Sequence, residues 1–197
     1  MKETKNKNRW ITIKEEEIVN CSVLSILIRK CQSSKDKTKL HNFYLLKSSN
    51  WCNIIPITKD KKVVMVKQYR VGIDDTTLEI PGGVSDPSDP DIQASAVREM
   101  IEETGYTPLP DAKYIPLGWT FPNPAIQDNK CYSFALYPVK KTREQKLDPS
   151  EMIEVVEVPL NEIKTKILNG EINHALIINA FFFLTMQEKK TGPDLQI

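Results

Sequence analysis

Three glutamates, Glu99, Glu102 and Glu103, stand three and four residues apart in the run Arg98-Glu99-Met100-Ile101-Glu102-Glu103. In a helix that spacing puts their carboxylates on one face, where they can converge on a point just outside it. Carboxylate oxygens gathered without thiols or imidazoles suit a hard divalent cation. Mg2+ needs only a few of them, because it keeps waters and bridges substrate phosphates. The competing reading is a solvated charged face in which Arg98 pairs with Glu102 four residues on. That reading leaves the three glutamates with no lysine or arginine three or four residues downstream. Like charges at a spacing of four cost about 0.2–0.5 kcal/mol per pair, a repulsion that a bound cation would remove.

The segment that must present these acids has recognisable ends. Asp89-Pro90 reads as a helix start, since proline at the first helical position gives up no needed hydrogen bond and an aspartate before it can cap free amides. Gly105 reads as the stop. Between them Ala94, Val97 and Ile101, flanked by Met100, form an apolar stripe at helical spacing, which predicts a helix of about four turns with an acidic opposite face. Just upstream, Gly82-Gly83 ends an extended run, and the absent Cβ atoms let backbone approach a metal or a phosphate.

Taken together, Gly83 and Arg98-Glu99-Met100-Ile101-Glu102-Glu103-Thr104-Gly105-Tyr106 resemble the Nudix box, G-x5-E-x7-R-E-U-x-E-E-x-G-U, where U is a bulky apolar residue. The second half matches at every specified position. The first half differs: Asp89 stands where the family has glutamate, and one extra residue separates it from Arg98. The resemblance implies that Glu99 and Glu103 ligate metal with Glu102 assisting, that the Gly82 carbonyl is a further ligand, and that the cofactor is Mg2+, with Mn2+ as the alternative. It implies hydrolysis of the diphosphate bond of a nucleoside-diphosphate-linked compound.

Outside the box, Val66-Lys67-Gln68-Tyr69-Arg70 followed by Leu78-Glu79-Ile80-Pro81-Gly82-Gly83 resembles the strand pair of ADP-ribose and ADP-sugar pyrophosphatases. In that subfamily the arginine of the first segment approaches substrate phosphate, which implies this role for Arg70; the alternative is a surface arginine beside Asp74 or Asp75. Pro124, in Phe121-Pro122-Asn123-Pro124-Ala125, stands in the implied substrate loop, without the serine and glycine frequent there. Pro149-Ser150-Glu151-Met152-Ile153-Glu154 resembles a mobile loop that brings one more glutamate to the metal cluster, with Glu151 the better match and Glu154 the second. Trp10 either stacks on the adenine of a neighbouring subunit, as an N-terminal tryptophan does in some dimeric relatives, or covers the small N-terminal sheet. ADP-ribose or another ADP-sugar is thus the leading substrate. GDP-mannose, another nucleotide substrate, or a non-catalytic nucleotide-binding module are the alternatives.

A chain of 197 residues, 40% of them hydrophobic, supports one well-buried core. With 27 basic residues against 26 acidic ones, no global field recruits nucleic acid or an anionic membrane. The scattered Cys21, Cys31, Cys52 and Cys131 form no Cys-x-x-Cys pair, which predicts reduced thiols in a cytoplasmic protein. The charged start predicts no export signal. The apolar run Ala175 to Met186, interrupted by Asn179, falls short of the roughly 20 residues of a membrane span and reads as a buried helix.

Strands are predicted at Cys21 to Ile28, Phe43 to Leu46, Asn53 to Ile57, Val63 to Tyr69, Thr76 to Ile80, Cys131 to Tyr137 and Glu154 to Val158, with helices near Leu160 to Asn169 and Ala175 to Gln187. The expected architecture is an α+β chain: an α/β/α sandwich with a mixed sheet over residues 51–197, preceded by a small β subdomain over residues 1–50. The family resemblance implies that this subdomain builds a homodimer.

Overall fold

The computed structural model describes residues 8–21 and 23–187. The chain divides into two compact units, one formed by residues up to Ser49 together with Phe121–Asn129, the other by Asn50–Thr120 and the chain from Lys130 onward.

The first unit is built on a three-stranded antiparallel sheet, β1 (Trp10–Asn20), β2 (Ser25–Ser33) and β3 (Leu40–Lys47), in that spatial order. The tip between β2 and β3 falls in the polar run Ser34-Lys35-Asp36-Lys37. The predicted run from Cys21 begins instead at Ser25, because the Cys21 amide turns to the Leu24 carbonyl at 2.9 Å between β1 and β2. All eleven residues of β1 are exposed. Segment 121–129 joins this unit through the Leu46 amide, which donates to Ile126 at 2.8 Å.

The second unit is an α/β/α sandwich, the fold class expected from the sequence. Its seven-stranded mixed sheet runs β10 (Ile153–Pro159), β5 (Lys62–Arg70), β4 (Trp51–Thr58), β9 (Cys131–Lys141), β8 (Tyr106–Thr120), with β6 (Asp75–Glu79) against β5 and the short β7 (Gly82–Val84) against β4. The β4–β9 pair is parallel and the others are antiparallel. Alternation along the central strands sorts two cores. Ile55, Ile57, Val63 and Met65 face Phe181 and Leu184 of α3 (Ala175–Met186), with α2 (Ile163–Leu168) beside them through Ile163. Cys52, Ile54 and Val64 face Ala96 and Met100 of α1 (Ile92–Thr104). A strand covered on both faces needs no polar alternation, which is why Val63 to Val66 reads as one unbroken apolar run.

Two details of α1 differ from the expectation. The N-cap is Asp91, whose side chain accepts from the Ala94 amide at 2.8 Å, and Asp89 has another partner. The buried face is Ser95, Ala96, Met100, Glu103 and Thr104. The Ala94, Val97 and Ile101 stripe sits half-buried beside it, along a surface groove of about 630 Å³ shared with Tyr114 and Lys146. Small Ala96 and long Met100 fit the space under the helix, so the core-facing stripe is displaced from the more hydrophobic one.

Candidate functional site

The turn at Pro81-Gly82-Gly83 and the last turn of α1 meet at the carboxylates. β7 is held to β4 by the pairs Asn53–Gly82 and Cys52–Gly83. From that fixed position the Gly82 amide donates to Oε2 of Glu103 at 3.1 Å. Gly83 faces Glu99 so closely that a Cβ there would lie 2.6 Å from the Glu99 carboxyl carbon. Only a residue without a side chain leaves that carboxylate its space. Glu99 and Glu103, one helical turn apart, therefore share the glycine turn.

Their environment disfavours negative charge. Burial, followed by the neighbouring Glu99, pushes the Glu103 carboxyl up to about 9, against the pull of the Gly82 amide. Burial also raises Glu99, offset in part by Arg98. Glu151 acts on both in the raising direction. Among the described residues no three His, Cys, Asp or Glu side chains close around one point. Two carboxylates beside a bare glycine backbone are a partial, all-oxygen ligand set, of the kind that fits a hard cation completing its shell with water and phosphate oxygen.

Glu102 points elsewhere. Arg98 gathers it at 2.8 Å, Asp89 at 3.2 Å and Glu99 at 3.0 Å. The pairing of Arg98 with Glu102 that spacing alone allowed is thus present, and Asp89 belongs to the same cluster even though it sits one residue further from Arg98 than the box specifies.

Arg70, at the end of β5, turns to Glu79 at the end of β6 through two bonds of 2.7 Å, Nε to Oε1 and a terminal nitrogen to Oε2. Asp74, one of the neighbours considered from the sequence, accepts the Tyr69 hydroxyl instead. Glu79 is 3% exposed. Burial works to raise its pKa, but Arg70 and the Thr77 hydroxyl outweigh it and hold the group ionised. Sequence reading had passed over Glu79, although a carboxylate inside Leu78-Glu79-Ile80-Pro81, an otherwise apolar strand end, is the signal of a buried charge with a partner. The Arg70 cation is held also by the negative charge of Glu103 and Glu151, so this guanidinium lies within electrostatic reach of Glu103.

Glu151 sits in the turn before β10. Its amide donates to the Asp148 carbonyl at 2.9 Å, and its own Oε2 accepts the Asp148 amide at 2.9 Å. Glu154 is already in β10 and pairs with Lys67 across the sheet at 3.1 Å.

Trp10 and Pro124 lie in the first unit. Trp10 packs edge-on to Phe43, with ring centroids 5.3 Å apart, and tilted to His41 at 6.1 Å. Even so, 46% of its surface stays exposed. Pro124 borders a hollow of about 120 Å³ with Leu27, Arg29 and Leu46. The buried thiols of Cys52 and Cys131 are pushed up to about 12, Cys52 chiefly by burial and Cys131 likewise, and all four cysteines are free. No helix among the described residues is long and apolar enough to cross a membrane.

Comparison with known proteins bears on what such a site serves. Over 178 residues, 90% of this chain and 93% of the relative, the sequence is 26% identical to the ADP-ribose pyrophosphatase of Bacillus subtilis (strain 168). It is also 26% identical over 181 residues to the methanol dehydrogenase activator of Bacillus methanolicus, covering 90% of this chain and 93% of that one. A crystal structure described as an ADP compounds hydrolase shares the fold with a TM-score of 0.77 at 19% identity, over 93% of this chain and 96% of the other. The NUDIX domain model matches residues 52–181, a span that contains the glycine turn, the carboxylate helix, Arg70 and the Glu151 loop, and the chain accordingly belongs to the NUDIX family and is a NUDIX hydrolase.

Proposed function

We propose that this hydrolase cleaves the diphosphate bond of ADP-ribose or another ADP-sugar, with Mg2+ as cofactor and Mn2+ as the alternative, releasing AMP and a sugar phosphate. The observation that carries the reading is the pair of carboxylates, Glu99 and Glu103, crowded against the Gly82-Gly83 backbone, with Glu103 within reach of the Arg70 charge. The likeness in sequence to an ADP-ribose pyrophosphatase over nine-tenths of the chain supports the substrate class.

When bound, a divalent cation lowers the pKa of a water and neutralises diphosphate charge. Glu99 and Glu103 would hold it with the Gly82 carbonyl, and Glu102 would assist through the Arg98 cluster. Arg70, its fork braced by Glu79, steadies the diphosphate oxygens by charge-assisted hydrogen bonds. Glu151 leaves the Asp148 amide to take a proton from the attacking water as its oxygen bonds to phosphorus and the bridging P–O bond breaks. Trp10 offers an exposed indole face to the adenine of a neighbouring subunit, and Pro124 shapes the substrate loop.

The exposed apolar side chains of β1, Trp10, Ile11, Ile13, Ile18 and Val19, on a sheet with an open edge, support a homodimer formed through the first unit. Four free thiols support a cytoplasmic setting. Purified protein with Mg2+ and a panel of ADP-ribose, other ADP-sugars, GDP-mannose, a dinucleoside polyphosphate and an oxidised nucleoside triphosphate tests the substrate, read by product mass. The expected result is the highest kcat/KM on ADP-ribose or an ADP-sugar with AMP as product. A preference of tenfold or more for GDP-mannose or a triphosphate overturns it.

A further inference from the structure

The chain that follows β9 closes the C-terminal end of the carboxylate helix. The amides of Thr142 and Arg143 donate to the Gly105 carbonyl at 3.1 and 3.3 Å, and the Lys146 amide donates to the Glu102 carbonyl at 2.8 Å. Carbonyls at the end of a helix lack partners within it, and this crossing supplies them. Within the same segment the Gln145 side chain does something different. Its amide nitrogen donates to the main-chain carbonyl of Glu103 at 2.6 Å and to that of Ile153 at 3.4 Å. Glu103 carries a candidate metal-binding carboxylate, and Ile153 is the first residue of β10.

Residues 146–152 lie between those attachments and contain Glu151. The loop has a local closure of its own in the reciprocal bonds between Asp148 and Glu151. Its first residue is tied to the helix by the Lys146 amide, and Ile153, which follows it, is paired with Gln68 of β5; Gln145 links these two anchors, joining the main chain of Glu103 to that of Ile153. Anchors that shift against one another carry the loop with them, and displacement of a reacting group by about 1 Å can cost on the order of a hundredfold in rate.

We infer that Gln145 is a positioning residue for the hydrolysis: by bridging the main chains of Glu103 and Ile153 it fixes the two anchors of the Glu151 loop relative to one another at the carboxylate helix, so that Glu151 moves about set anchors. This rests on the proposed role of Glu151. Gln145 itself touches neither substrate nor the reacting atoms.

A double-mutant comparison tests it. Gln145→Met keeps the side-chain length and removes the donors; Glu151→Gln keeps the shape and removes the base. Steady-state constants are measured on ADP-ribose, or on the nucleotide sugar that the substrate panel favours, at saturating Mg2+. Gln145→Met is expected to lower kcat about tenfold with KM within about twofold, and to cause no further loss in the Glu151→Gln background. Loss by the same factor in both backgrounds means that Gln145 does not act through Glu151 and overturns the inference, as does unchanged kcat in Gln145→Met alone. If Glu151→Gln by itself turns over at the wild-type rate, the Glu151 reading has failed and the inference falls with it, an outcome that the single variant identifies separately. Should Gln145→Met not fold, Gln145→Asn, which keeps the donor but is one methylene too short to span both carbonyls, carries the same comparison.

Discussion

Helix α1 carries two groups of carboxylates whose charge is met in different ways. On its outer flank Arg98 binds Asp89, Glu99 and Glu102 at once, and Asp89 and Glu102 keep partial contact with solvent. On its inner flank Glu103 is 3% exposed, receives the Gly82 amide, and sits beside Glu99. The first group is a closed set of ion pairs that fastens the β7–α1 connection to the helix. The second retains an acidic group where burial opposes its ionisation. A glutamine would hold the same amide without that cost, so we propose that the acid answers a charge arriving from outside the chain.

Each side of the contrast can be attacked. The largest effect is expected from Glu103→Gln, which should lower turnover by on the order of a hundredfold or more while the fold is kept, since only charge is removed. Near-wild-type turnover of the purified variant in Mg2+ would dissolve the distinction between the flanks.

The second prediction uses pH. The Glu103 carboxyl lies near 4.5 in the unfolded chain and is pushed up to about 9 by burial and Glu99 in the folded one. Between these values the metal-free native state holds a proton that the unfolded state has lost, so its stability falls as pH rises. A cation must displace that proton, so apparent Mg2+ affinity should rise by up to about tenfold per pH unit below about 9. Calorimetric titration at several pH values reads the slope, and a flat wild-type profile, or a slope that persists in Glu103→Gln, would remove Glu103 from the cation site.

Arg98→Met attacks the other flank. It leaves Asp89, Glu99 and Glu102 without their common partner, and because that arginine is about a third exposed the loss of stability should be modest, about 1–2 kcal/mol. Thermal unfolding measures it; an unchanged Tm would make the cluster a surface ornament. The smallest effect belongs to Glu154→Gln, whose partner Lys67 is itself exposed across the β5–β10 pair. Its kcat should stay within about twofold of wild type, and a greater loss than in Glu151→Gln would move the mobile carboxylate from the loop to the strand.

The central strands and the carboxylate helix were legible because their patterns are local: apolar runs bounded by turns, and acids at helical spacing. Three strands were not; one of them, β7, is three residues long and its Gly82-Gly83 reads along the chain as a turn. In β1, Lys14 to Glu17 break the alternation, and every residue is exposed, so no buried face leaves its mark. In β8, Pro108, Pro110 and Pro116 argue against a strand; it survives because it lies at the sheet edge and shifts register between Pro108 and Lys113 and between Pro116 and Gly118. At the site, spacing placed Glu99 and Glu103 on one helix. The Glu79 brace on Arg70 and the Gln145 bridge depend on strand pairing and a chain crossing, which no local window records.

Gly105 shows how a local motif can encode a distant event. As the helix stop it adopts φ 74°, a left-handed turn that asparagine also tolerates at many helix ends. Here a second demand falls on the same atom position. The Arg143 carbonyl passes where a Cβ would stand, 2.1 Å away, as its segment crosses to reach the end of the helix. Asparagine could meet the demand on the torsion angle but not the demand for empty space. A glycine read along the chain as punctuation is, in three dimensions, the clearance through which a later part of the chain passes.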